Sequence, residues 1–392
     1  MAPRTILYTG KGGVGKTSVA ASTARRLAAQ GLRTLIVSTD PAHSLAESLE
    51  VALGPDPVAV SDRLWGQQVS AQREMERHWA GVRQWLSSVL VDRGVDRISA
   101  QELTVAPGMD ELFALLVLRD TCSDGDWDAV IVDCAPTGET LRLLSFPDVA
   151  RWWIDKVFPL ERQIMSAVGP LARGLLDVEL PGHAVFADVH RLSRRLIDFN
   201  ALLRDHERCT IRLVMTPDRM VIGEAMRTFT YLNLYGYLTD AVIVNRVFPA
   251  QVGGYFEAWR EVHERQLALV HSAFAPVPVL QAPYLDQEVL GAAMLDRLGA
   301  ELFLDHDPAA VLHTSLTQEL ALDEHEARLR LALPLAQREE ISVKKVGLEL
   351  VVGVNGQKRT LVLPDALASY RPREARLQDG MLEIRFDGAG DG

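Results

Sequence analysis

Thr5-Ile6-Leu7-Tyr8-Thr9-Gly10-Lys11-Gly12-Gly13-Val14-Gly15-Lys16-Thr17-Ser18 is the stretch that decides the fold of this 392-residue chain. Its first five residues are apolar and β-rich, as a buried parallel strand requires. The next eight fit G-x-x-x-x-G-K-[ST], and a helical pattern follows from Ser18 to Gln30. Glycines there let backbone N–H groups converge on phosphate oxygens, and the helix N-terminus adds partial positive charge. In such a loop the lysine, Lys16, reaches the β- and γ-phosphates and the Thr17 hydroxyl ligates Mg²⁺. The expected fold is α/β, a P-loop NTPase with a mostly parallel sheet, with residues Gly10 to Ser18 holding ATP.

Two further strand-like segments end in carboxylates. Thr34–Ser38 runs into Thr39-Asp40-Pro41-Ala42-His43-Ser44, and Ala129–Val132 into Asp133-Cys134-Ala135-Pro136-Thr137-Gly138-Glu139-Thr140. Open α/β sheets bind ligands at the C-terminal ends of their strands. Asp40 is therefore expected to orient or deprotonate an attacking water, and Asp133 to hold the Mg²⁺ shell as a Walker-B carboxylate. Taken singly, each aspartate also fits a turn or a helix cap.

Taken together, K-G-G-V-G-K-T, S-T-D-P-A-H-S and D-x-A-P-T-G resemble the family that contains the arsenical pump-driving ATPase and the guided-entry ATPases for tail-anchored membrane proteins. Ala106-Pro107-Gly108-Met109-Asp110-Glu111 is similar to the family's P-G-x-D-E segment, and Thr216-Pro217-Asp218 with Glu224 and Arg227 to its T-x-P-E…E…R stretch. Val244-Asn245 and the loop Pro283 to Gly291 resemble its adenine side, and the likeness spans about residues 4 to 305. The resemblance implies a homodimer that sandwiches ATP and Mg²⁺. Lys11 would reach the partner's phosphates, while Gly12, Gly13, Val14, Gly15, Lys16 and Thr17 form the cradle. Asp40 would lie in switch I, and Asp133, Pro136, Thr137 and Gly138 in switch II. Asn245 and Pro283 would contact adenine. Cys134 and Glu139 depart from the family's usual Thr and His in switch II, and Phe248 to Val270 lacks the cysteine pair that clamps zinc in the eukaryotic targeting members. A zinc-free dimer is expected.

Helical periodicity marks Trp79–Val91, Met109–Arg119, Trp152–Leu176 and Val189–Leu203. In the targeting members, helices in corresponding places form an apolar groove for hydrophobic or membrane-protein clients. Trp152, Trp153, Val157, Phe158, Ile164, Met165 and Val168 would supply one here, or else pack against neighbouring elements. Later the period becomes twofold: Arg328–Leu333, Glu349–Val354 and Glu383–Phe386 alternate, and Asn355-Gly356 and Asp379-Gly380 are hairpin turn signals. This reads as a small antiparallel β-sandwich resembling the α-crystallin/small heat-shock fold. The domain reading is an ATPase domain over 1–322, its helical subdomain at about 70–125 and 150–205, and a β-module over 326–388.

With 41 Lys+Arg against 52 Asp+Glu, the formal charge of −11 argues against nucleic acid or anionic membrane as partner. No apolar run approaches the ~18 residues that span a bilayer, which argues against membrane insertion, and Met1 to Arg4 leads straight into a strand, so a cytoplasmic protein is expected. Cys122, Cys134 and Cys209 match no zinc or arsenite spacing and are expected to be small buried residues in a reducing compartment. An arsenite-stimulated pump-driving ATPase is the alternative; a partition-type spatial organiser fits poorly, because such proteins use a basic face or an amphipathic C-terminal helix. The C-terminus Phe386-Asp387-Gly388-Ala389-Gly390-Asp391-Gly392 forms no such helix.

Overall fold

A computed structural model describes residues 2–40, 44–70, 73, 109–123, 126–137, 183–314, 318–322, 326–333, 341–354, 357–363 and 367–388. An eight-stranded sheet has the order β3-β4-β2-β5-β1-β6-β7-β8. Its strands are β1 Arg4–Thr9, β2 Thr34–Ser38, β3 Val58–Ser61, β4 Leu64–Gln68, β5 Ala129–Asp133, β6 Cys209–Met215, β7 Thr239–Val247 and β8 Val279–Pro283. Every pairing is parallel except that of the edge strand β3 with β4. The strands β3 and β4 were not foreseen from the sequence; β3 is short and half-exposed, so it carries little apolar signal.

Both faces of the sheet are covered, which is why its strands read as continuous apolar runs. Leu7, Val130, Val132 and Leu213 point into one core, with Phe199 of α4 (His183–Leu203) and Ile222 and Phe229 of α5 (Arg219–Tyr235). Ile6, Tyr8, Ile131 and Ile243 point into the other, with Val19 and Leu27 of α1 (Lys16–Ala29) and Leu295 and Leu298 of α7 (Gly291–Leu302). The other α-helices among the described residues are α2 (Ser44–Leu49), α3 (Met109–Ser123) and α6 (Glu257–Phe274). Expected helices over Trp79–Val91 and Trp152–Leu176 lie outside the described residues, as do the apolar residues Trp152 to Val168.

Alternating strands downstream build two antiparallel sheets, β14-β15-β10-β9 and β11-β12-β13. These are β9 Gln318–Leu322, β10 Glu326–Ala332, β11 Ile341–Val346, β12 Glu349–Val354, β13 Gln357–Val362, β14 Arg371–Gln378 and β15 Met381–Asp387. Leu329, Leu331, Ile384 and Phe386 from the first sheet meet Leu350, Val352 and Val354 from the second in one core, as in a sandwich. Asp379 and Gly380 both have positive φ, 50° and 73°, so the D-G signal makes the two-residue hairpin it announces. Strand β9 lies within the range assigned to the ATPase from sequence, and it pairs with β10. Strand β10 also touches α5.

Candidate active site at the carboxyl edge of the sheet

Chain order and sheet order diverge around β1, which lies between β5 and β6, with β2 beyond β5. Strand order therefore reverses at β1, and the ends of β1, β2, β5, β6, β7 and β8 open on one edge, where ligands bind in such sheets. Gly10–Thr17, Asp40, Asp133, Thr216-Pro217-Asp218, Asn245 and Pro283 all lie at or just after those strand ends.

The loop after β1 depends on two close approaches. A Cβ on Gly10 would lie 2.1 Å from the carbonyl oxygen of Val214, so the loop leaves β1 in backbone contact with β6. A Cβ on Gly15 would lie 2.3 Å from Asn245 Nδ2, and Gly15 also sits at φ +89°, just before α1. Lys16 is buried and its ammonium donates to the Lys11 carbonyl at 3.2 Å. Ser18 lies half-buried in the first turn of α1, and Val14 is buried against the core.

Thr17 Oγ1 lies 3.1 Å from Ser44 Oγ at the start of α2. Asp133 is fully buried at the end of β5, opposite both Tyr8 of β1 and Ser38 of β2. Burial pushes its carboxyl up to about 7; the Thr17 and Ser38 hydroxyls and the Lys16 ammonium pull the other way, and the Asp40 charge adds to the rise. These hydroxyls are near enough to favour the charged form, yet neither carboxylate oxygen closes a hydrogen bond of ordinary geometry. A buried carboxylate whose oxygens close no ordinary hydrogen bond, next to the Thr17 hydroxyl, offers oxygen ligands to a hard cation, and the neighbouring Lys16 ammonium suits phosphate. Mg²⁺ fits that set. Asp40 follows β2, its N–H donating to Ser38 Oγ at 3.2 Å and its carbonyl accepting from Gln68 Nε2 at 2.7 Å. Lys16, Thr17, Asp40 and Asp133 thus share one electrostatic neighbourhood.

Lys11 has a partner that the sequence reading left without chemistry. Its ammonium stands 3.6 Å from Glu224 Oε2 on α5, and the other Glu224 oxygen accepts the Thr137 hydroxyl. One carboxylate joins the early lysine of the loop to the segment after β5. Pro136 precedes that contact, and Gly138 lies outside the described residues.

Beyond the loop opens a cavity of about 480 Å³, lined by Gly12 and Gly13 on one side and by Phe248, Phe256, Trp259, His263 and Tyr284 on the other. Phe248 stacks on His263 at 4.7 Å and on Tyr284 at 5.5 Å between ring centroids. The Phe248 N–H donates to His263 Nδ1 at 3.4 Å. Burial holds this imidazole below its ordinary pKa, with Asp218 pulling the other way. Asn245 is not on this wall: its amide donates to the Val14 carbonyl at 2.9 Å and its oxygen accepts from the Arg246 N–H. Pro283 ends β8 beside Tyr284 and does not line the cavity. Most of the aromatic wall was missed in the sequence because its members follow β7, precede or lie in α6, and follow β8, with no shared period; Tyr284 alone lay in a segment, Pro283 to Gly291, that the resemblance placed on the adenine side.

Residues 3–304 match the family model described as anion-transporting ATPase, ArsA type. The chain belongs to the ArsA ATPase family. Its ATP hydrolysis follows from that membership, and a nucleotide, accompanied in this family by Mg²⁺, is its ligand. Residues 324–386 match the HSP20-like domain found in ArsA, in agreement with the β-sandwich. A protein of Chlorobaculum tepidum, provisionally named an arsenical pump-driving ATPase, is 36% identical over 391 residues, covering 98% of this chain and 96% of its own. ATPase GET3B of Arabidopsis thaliana is 29% identical over 319 residues, 74% of this chain and 76% of its own. ATPase get3 of Neurospora crassa is 28% identical over 311 residues, 76% and 90% respectively. Among the described residues no helix is long and apolar enough to cross a membrane.

Proposed function

We propose that this ArsA-family ATPase works as a nucleotide-driven homodimer in which ATP hydrolysis switches an apolar client-binding surface, as in a targeting factor or chaperone. The Glu224 bridge carries the reading: one carboxylate pairs with Lys11 and accepts the Thr137 hydroxyl, so any event that draws Lys11 away changes the charge balance of the group that holds the segment following Asp133. Gly10 to Ser18 hold the phosphates, and Lys16 neutralises the β- and γ-phosphate oxygens. Thr17 and Asp133 would hold Mg²⁺, which when bound would supply positive charge to the phosphate oxygens. Asp40 orients the water that attacks the γ-phosphorus, giving ADP and inorganic phosphate. The aromatic cavity takes the nucleobase, for which a stacking wall beside the phosphate loop is suited.

Client switching is favoured over an arsenite-driven pump by the placement of the thiols. Cys122, Cys134 and Cys209 are all buried in the core, and burial pushes the Cys122 thiol up to about 12 and Cys209 well above its usual value. Thiols sealed in the core are out of reach of a solute such as arsenite.

Size-exclusion light scattering of wild type and Lys11→Ala, each with and without ADP·AlF₄⁻·Mg²⁺, tests the switch. Wild type is expected to lock as a dimer with the analogue, and Lys11→Ala to fail. A monomer under all conditions rejects the dimer mechanism, and arsenite stimulation of the wild-type ATPase rejects the choice of client over pump.

A further inference from the structure

We propose that Arg246 is a positioning residue for nucleotide binding: with Asn245 it fixes the direction of two peptide units in the phosphate loop. Pairing of β7 with β8 runs regularly to Val244 and slips before Val247. Arg246 sits in that slip with φ +61°. A side chain of this size is seldom left-handed, and the conformation persists only where surrounding contacts over-determine it.

Three hydrogen bonds do so here. The Arg246 N–H donates to Asn245 Oδ1 at 3.0 Å, Asn245 Nδ2 donates to the Val14 carbonyl at 2.9 Å, and the Arg246 guanidinium donates to the Gly13 carbonyl at 3.1 Å. The slip thus aims two consecutive side chains of β7 at two consecutive carbonyls of the loop. In a trans peptide unit the C=O and N–H point in opposite directions. Holding the Gly13 and Val14 carbonyls toward β7 therefore turns the N–H groups of Val14 and Gly15 away from β7 and into the loop. Without these holds the peptide planes turn easily, since Gly13 and Gly15 lie at φ +83° and +89°, where glycine moves at little cost. Gly15 is needed twice over: only a residue without Cβ leaves room for the Asn245 amide. Arginine suits this place because its exposed side chain brings one N–H of its planar fork to the Gly13 carbonyl.

The proposal rests on the assignment of Gly10 to Thr17 to the phosphates, and the experiment separates the two. N-methylanthraniloyl-ADP with Mg²⁺ is titrated into the full chain as wild type, Arg246→Gly, Arg246→Lys and Lys16→Ala. Melting curves are recorded alongside, with kcat and KM for ATP. Arg246→Gly is expected to melt close to wild type, because glycine relieves the left-handed strain. It should nevertheless bind about 3- to 10-fold more weakly, the worth of one hydrogen bond, with KM raised by the same factor and kcat within about twofold. Arg246→Lys is expected to recover part of the affinity, because its ammonium still donates to Gly13. Wild-type affinity and KM in Arg246→Gly overturn the proposal, as does weaker binding that accompanies a lower melting temperature without rescue by lysine. Undiminished binding by Lys16→Ala overturns the phosphate-loop assignment itself, and this proposal with it.

Discussion

Substituting Gly15 by alanine tests how closely the phosphate loop and β7 are fitted. The residue sits at φ +89°, where alanine costs about 1–2 kcal/mol relative to glycine. A Cβ there would stand 2.3 Å from Asn245 Nδ2, so the amide has to withdraw. That withdrawal breaks its 2.9 Å bond to the Val14 carbonyl in a buried setting, at a further cost of about 1–3 kcal/mol. Gly15→Ala should therefore destabilise the native state by about 2–5 kcal/mol, and Asn245→Ala alone by about 1–3 kcal/mol. In the double variant the amide is already gone, so the lost bond to Val14 is counted once rather than twice. Its loss should fall short of the sum of the singles by about 1 kcal/mol or more. Urea denaturation of the four proteins measures this directly, with nucleotide titration as a second readout. Strict additivity, to within about 0.4 kcal/mol, would refute the close fit of loop to strand.

Arg212 is fully buried and donates to Asp240, to Tyr8 Oη at 3.1 Å and to the Ala310 carbonyl at 3.1 Å. Arg212→Met leaves the buried Asp240 with Arg4 as its remaining cation and should cost about 3–5 kcal/mol in urea denaturation, with nucleotide affinity in the folded protein unchanged. The thiols give a pH prediction. With Cys122 raised to about 12, the folded state keeps that proton while the unfolded state loses it near 9. Its stability contribution is present below pH 9 and lost as pH rises from there toward 12; Cys122→Ala should flatten that alkaline fall. Native protein at pH 8 should react with a thiol reagent at none of its three cysteines until unfolded.

The sequence revealed most where function is written in neighbouring residues. Gly10 to Thr17, Asp40 and Asp133 each sit in a short run that carries its own strand, and the parallel order then brings the strand ends together. What stayed hidden depends on separations that no local pattern encodes. Asn245, read as an adenine contact by resemblance, meets the Val14 carbonyl across 231 residues, and Arg246 meets Gly13 across 233. A strand slip that points Arg246 at the loop has no signature in composition. Glu224 was visible within a motif, but its link to Lys11 and Thr137 exists only once α5 is packed beside the loop. Strand β9 escaped notice because its alternation is brief and precedes the longer β10. The D-G hairpin was legible because two residues suffice to demand two left-handed conformations.

The buried charges at the opposite end of the sheet have a consequence for reach. Arg4 donates to the Ala309 carbonyl, Arg212 to that of Ala310, and Asp240 accepts the Leu312 N–H. Together they moor the segment that leaves the ATPase to the base of three adjacent central strands, β1, β6 and β7. From Leu312 to Gln318, where β9 begins, the chain can extend at most about 20 Å. The first strand of the sandwich therefore begins within about 20 Å of the strands whose far ends carry the phosphate loop.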